Sequence, residues 1–159
     1  MNLVLFTHLK GETSIPLSEN SISKSFFKNS MKNKDELALI SDFQEIQLTY
    51  ESLFKISERA AGNMIDLGLK PGTKVGLYSP NSAEWLICQY ACALADLQMV
   101  NINPAYKPKE LMHGLALAEV ETLIVSDNIV PARIFDNVEY FMQDQKVVLS
   151  QFTGGDKPF

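Results

Sequence analysis

Apolar residues recur along this chain in two rhythms that take turns. Over 49–67 they fall three and four apart, at Leu53, Ile56, Ala60, Met64 and Leu67, which draws one stripe on a 3.6-residue helix. Thr49 stands where an N-cap belongs, with Glu51 in the first turn, where the helix dipole favours an acid. Gly68 suits the left-handed exit and Leu69 the apolar contact after it. Pro71-Gly72 predicts a type II turn, and KVGLY at 74–78 a short strand. Over 85–94 almost every position is apolar, which predicts an enclosed helix. Its start is assigned to Asn81 as N-cap with Glu84 reaching back. A strand follows over 99–102, ended by Asn103-Pro104. Pro108 opens a further helix at N1, with Leu111, Met112, Leu115 and Ala118 on one face, and TLIV at 122–125 is another strand.

Weaker signals flank this region. Residues 22–32 could form a short helix carrying Ile22, Phe26 and Phe27 on one side. ELALIS at 36–41 reads as a strand, with Gln47-Leu48 beside it. A helix over 134–142 and a strand over 146–150 are expected, and 151–159 reads as loop. The alternation predicts an α/β fold around a mainly parallel sheet. We divide the chain into an arm over 1–34 with a short helix, a unit over 35–126, and an extension over 127–159.

Composition narrows the function. With 159 residues the chain fits one domain, and a net charge of -5 opposes a nucleic-acid footprint. No apolar run reaches the length of a bilayer span. The start MNLVLFTHLKGE lacks the basic residue and long apolar run of a secretory signal. SISKSFFKNSMKNK at 21–34 is rich in Lys and Ser and free of acids, as transit peptides are, but has no Arg. The cytoplasm or the mitochondrial matrix is therefore expected, and secretion is not.

Candidate chemistry is sparse. Cys88 and Cys92 lie four apart on a predicted helix, a poor geometry for a disulfide and no zinc spacing, so both read as small core residues. His8 and His113 have no Ser, Cys or acid at motif spacing, and His113 is expected to be partly buried. Asp127 ends a strand, where sites gather in α/β sheets, but no glycine loop adjoins it. Trp85 and Tyr90 read as core, and Tyr106, just after a Pro turn, as core or pocket lining. The Lys-rich run over 24–34 has the charge to touch phosphate or an acidic lipid surface, but reads first as a solvated helix face. No catalytic, cofactor-binding or metal residue is assigned.

Four blocks in order carry a resemblance: Leu48-Thr49-Tyr50-Glu51-Ser52-Leu53, Gly68-Leu69-Lys70-Pro71-Gly72-Thr73-Lys74-Val75, Pro80-Asn81-Ser82-Ala83-Glu84-Trp85, and Val100-Asn101-Ile102-Asn103-Pro104-Ala105-Tyr106. Over 35–126 the chain resembles the N-terminal part of adenylate-forming enzymes, the AMP-binding acyl-CoA synthetases, and its NPAY form is similar to that of fatty acyl-CoA synthetases, including the medium-chain type. One departure is Asp96-Leu97, where the family ends this helix with Ala-Gly or a similar pair. The resemblance implies a partial N-terminal subdomain of a ligase that joins a fatty acid to AMP and then to coenzyme A, using ATP and magnesium. It also implies that the phosphate loop lies elsewhere. The tail Phe152-Thr153-Gly154-Gly155-Asp156-Lys157-Pro158 lacks that loop's Ser-Gly-Thr-Thr core. We therefore expect this chain alone to be inactive, needing another protein chain or the rest of the enzyme to cover the 85–94 helix. The alternatives are a non-enzymatic interaction subunit and one half of a split ligase.

Overall fold

The computed structural model describes residues 11, 12 and 14–126, together with the backbone of 146–150. Among the described residues, four helices and six strands follow one another. They are α1 (Ile22–Lys32), β1 (Leu37–Ser41), β2 (Ile46–Thr49), α2 (Tyr50–Asp66), β3 (Lys74–Tyr78), α3 (Ala83–Leu94), β4 (Gln98–Ile102), α4 (Pro108–Ala118), β5 (Thr122–Ser126) and β6 (Lys146–Ser150). A single 3-10 turn, Asp42–Gln44, joins β1 to β2. The expected helix over 134–142 and the tail lie outside the described residues.

The sheet that organises the molecule has four parallel strands in the order β4-β3-β5-β6. Alternation along β3 divides the core. Val75 and Leu77 join Ile124 against α2 and α3, with Cys88, Ala91 and Cys92. Tyr78 turns to the opposite face, where Leu111 and Leu115 of α4 meet Ile102, Leu123 and Val125. Helices thus cover both faces of β3 and β5, which keeps these two central parallel strands from water. Gly76 sits on the α4 side, where an added Cβ would come within 3.0 Å of Ile102, Leu123 and Val120, so the strand needs a glycine for this packing.

The three helices that feed strands β3, β4 and β5 end the same way. Gly68 (φ 88°), Asp96 (φ 56°) and Glu119 (φ 55°) each adopt the left-handed region. The next residue then donates back to the last turn: Leu69 to Met64 O, Leu97 to Cys92 O and Val120 to Leu115 O. Leu69, Leu97 and Val120 are all buried. This is the Schellman arrangement, in which an apolar residue after the cap anchors the turn. The exit at Asp96 therefore keeps the geometry a glycine would give.

A second cluster lies beyond α3. Phe26 of α1 packs on Leu53 and Phe54 of α2 and on Ile87 of α3. Its ring stacks on Tyr90 at 3.8 Å and 13°. Ile22, expected on this face, is 62% exposed, because the first helical turn lies outside the contact made by Phe26. The antiparallel β1–β2 pair adds Ala38 and Leu48 to the cluster. The sheet, α1 and α2 pack around α3 and bury Ala83, Ile87, Cys88, Ala91 and Cys92, while Trp85, Leu86, Tyr90 and Leu94 are half-buried, so its apolar positions are partly uncovered as expected.

Candidate functional site

In α/β sheets, ligands collect beyond the carboxyl ends of the strands, where successive connections part in opposite directions. That point here lies between β3 and β5. The chain leaves β3 for β4 on one side and leaves β5 for β6 on the other. A cavity of about 340 Å³ opens there, within the range of small-molecule sites. Leu77, Ser79, Ile124 and Ser126 form its floor, Pro80, Asn81, Ser82, Glu84 and Trp85 one wall, and Phe43, Gln44 and Ile46 of the hairpin the other.

Gln44 builds that site by joining the hairpin to α3. Its Oε1 accepts from Ala83 N at 2.8 Å and from Ser41 Oγ at 2.8 Å, while Nε2 donates to Glu84 Oε2 at 2.8 Å. The expected cap at Asn81 is corrected by one residue. Ser82 is the N-cap, and its Oγ accepts from Trp85 N at 3.2 Å. Glu84 does not reach back to its own helix start, because it accepts instead from Gln44. Two of the orphan N–H groups at this helix start are thus satisfied within the protein.

The electrostatics oppose an anion. Among the described residues that line the cavity, Glu84 is the one that carries a charge. An anion at the start of α3 would meet this carboxylate and find Ala83 N and Trp85 N engaged. The lining residues therefore do not fit an ATP triphosphate, which wants cationic side chains and free N–H groups. Among the described residues no nucleophile is poised either. Cys88 is among the lining residues, but burial, with Cys92 and Glu84 nearby, pushes its thiol up to about 12. Burial raises Cys92 to about 11. A thiol held protonated is neither nucleophile nor metal ligand. Among the described residues no cluster of His, Cys, Asp and Glu is placed to hold a metal ion.

The remaining candidates separate. Trp85 is half-buried and donates Nε1–H to Asn101 Oδ1 at 3.2 Å, which ties α3 to β4. Tyr90 stays with the α1 cluster and does not reach the cavity. Tyr106 is 39% exposed, and its carbonyl, with that of Pro104, accepts from Tyr78 Oη at 3.0 and 3.1 Å. That phenol, pushed up by burial, pins the NPAY turn to the end of β3. His113 is exposed on α4, which corrects the expected partial burial: its helix turns inward at Leu111 and Leu115. Lys24, Lys28 and Lys32 are exposed on α1. His8, Asp127 and the tail lie outside the described residues. Sequence reasoning missed Gln44, whose partners lie 39 and 40 positions away.

The chain is similar to known proteins. The profile of the AMP-binding enzyme family matches residues 26–156. The mitochondrial medium-chain acyl-CoA ligase ACSF2 of Bos taurus is 29% identical over 75% of this chain and 19% of its own length. The chain thus spans about a fifth of the length of that curated relative. Among solved structures, the N-terminal subdomain of Klebsiella oxytoca NpsA has a TM-score of 0.70 at 22% identity, covering 87% of this chain and 34% of that one. The N-terminal domain of Mycobacterium tuberculosis FACL13 also reaches 0.70 at 21% identity, covering 76% and 30%. These two similarities show a shared fold.

Proposed function

This chain belongs to the AMP-binding enzyme family, and from that premise we propose that it is the N-terminal scaffold of a fatty acyl-CoA ligase acting on medium-chain acids. The proposed reaction has two steps. The carboxylate oxygen attacks the α-phosphorus of ATP and pyrophosphate leaves, giving an acyl-adenylate. The thiol of coenzyme A then attacks the acyl carbon and AMP leaves. ATP, magnesium and coenzyme A belong to the complete enzyme in this reading. No step is routed through the residues described above, since they do not fit the triphosphate.

The observation that carries the reading is the cavity between β3 and β5. Its wall is formed by Pro80, Asn81, Ser82, Glu84 and Trp85 of the PNSAEW block, and among the described residues it carries the Glu84 carboxylate and no cationic side chain. Such a surface supports packing against a further segment and opposes phosphate binding. The relatedness to a medium-chain ligase supports the substrate class. The chain's relatives and its lack, among the described residues, of a helix long and apolar enough to cross a membrane support the mitochondrial matrix or the cytoplasm. We further propose that 35–126 is the scaffold unit, with 1–34 an N-terminal arm that carries a short helix and 127–159 an extension.

The test is ATP–pyrophosphate exchange with octanoate. The purified chain is expected to give no exchange and no magnesium-dependent ATP binding. Tight ATP binding by this polypeptide without another protein would overturn the scaffold reading. Reading the transcript past Phe159 and assaying its full product tests the ligase reading, which predicts exchange with medium-chain acids. Catalytic segments found instead on a co-purifying second chain would replace it with the split-ligase reading.

A further inference from the structure

The outer face of α1 is exposed among the described residues. Phe26 and Ser30 point inward and are buried. Lys24, Lys28 and Lys32 recur four apart, and all three are exposed. At 3.6 residues per turn this spacing sets them in one row, opposite Phe26. Beside that row, also four apart, lie Phe27 and Met31, 50% and 46% exposed. The helix has no acidic residue. Among the described residues none of the three lysines enters an ion pair, and Lys28 Nζ reaches the neutral Asn20 Oδ1 at 3.4 Å.

We propose that this face of α1 docks on an anionic phospholipid surface. Its charge complements acidic headgroups, and its apolar flank fits the boundary between headgroups and acyl chains. A helix that carries a lysine row beside exposed apolar side chains lies in that interface, held by both terms. The apolar flank is what favours a bilayer over a nucleic acid, because a net charge of -5 opposes approach to either polyanion. Phe27 keeps one edge against Phe54, with ring centroids 5.6 Å apart, so insertion is shallow and binding is reversible.

Co-sedimentation of the full 159-residue chain with vesicles tests this. Binding is expected to mixed phosphatidylserine–phosphatidylcholine vesicles at low salt, to fall in high salt, and to be weak on phosphatidylcholine alone. The K24Q/K28Q/K32Q variant should bind about ten- to a hundredfold less, since a lysine near an anionic leaflet contributes about fivefold. Its thermal melt should match the parent, because all three side chains are exposed. Met31→Ser should weaken binding while leaving the salt dependence unchanged. Equal binding to neutral vesicles, full binding by the triple variant, or no binding at low salt would overturn the proposal. So would a preference for DNA over the mixed vesicles, which would reassign the face to nucleic acid.

Discussion

At residue scale, three left-handed caps set the helix exits, and only one of them is glycine. Gly68 announces its turn in the sequence, whereas Asp96 and Glu119 adopt φ near 55° because burying Leu97 and Val120 holds them there. Leu69 after Gly68 was legible; Leu97 and Val120 were not read as anchors, since Asp visits the left-handed region less readily than Gly and Glu119 carries no local signal for it. Asp96→Gly should remove the Cβ penalty and raise stability by about 0.5 kcal/mol, and Gly68→Ala should lower it by about 1 kcal/mol. Urea denaturation midpoints would report both. The cysteines make the second prediction at this scale. Folding raises the thiols from a usual 9.0 to about 12 for Cys88 and about 11 for Cys92. Above pH 9 the unfolded chain releases protons that the native state keeps, so stability falls as pH rises through that window. It is fully present below pH 9. The loss between pH 9 and 11 should be up to about 1.4 kcal/mol per unit per thiol, and Cys92→Ala should flatten the slope of urea midpoints against pH.

At element scale, the hairpin is fastened to α3 by one glutamine. Ala83 N and Glu84 both depend on Gln44, so Gln44→Ala leaves a helix-start N–H and a partly buried carboxylate without those bonds. The expected cost is about 1–2 kcal/mol, with amide exchange at Ala83 accelerated more than at Leu111 of α4. Equal acceleration at both amides would mean that the hairpin does not act as a local clasp. The elements themselves were largely legible. The expected strand over 74–78 and the helix opening at Pro108 coincide with β3 and α4, and KVVLS with β6. Periodicity and proline are local signals, and these elements obey them. The start of α3 was misplaced by one residue because Asn81 and Ser82 are both good caps. The choice falls to Ser82 through Gln44, which a local reading cannot see.

At the scale of the whole molecule, alternating strands and helices made the α/β architecture readable, but not the order of the strands or the partner of α1. A strand's neighbours follow from long-range packing, and the Lys-rich sequence of α1 says little about a buried Phe26. In the structure that ring is 5% exposed and contacts both Phe54 and Tyr90. It therefore closes the outer side of the α2–α3 pair, which the sheet closes on the inner side. Two enclosures of one helix pair should unfold together. Phe26→Ala is expected to cost about 3–4 kcal/mol and to lower a single thermal transition, seen alike in far-ultraviolet circular dichroism and in Trp85 fluorescence. Were α1 only a loosely attached arm, the same substitution would leave the Trp85 transition in place, because Trp85 packs with the sheet-side cluster. The two probes thus separate a docked helix that stabilises the scaffold from one that merely rests on it. Only the first would present its lysine row as a fixed surface.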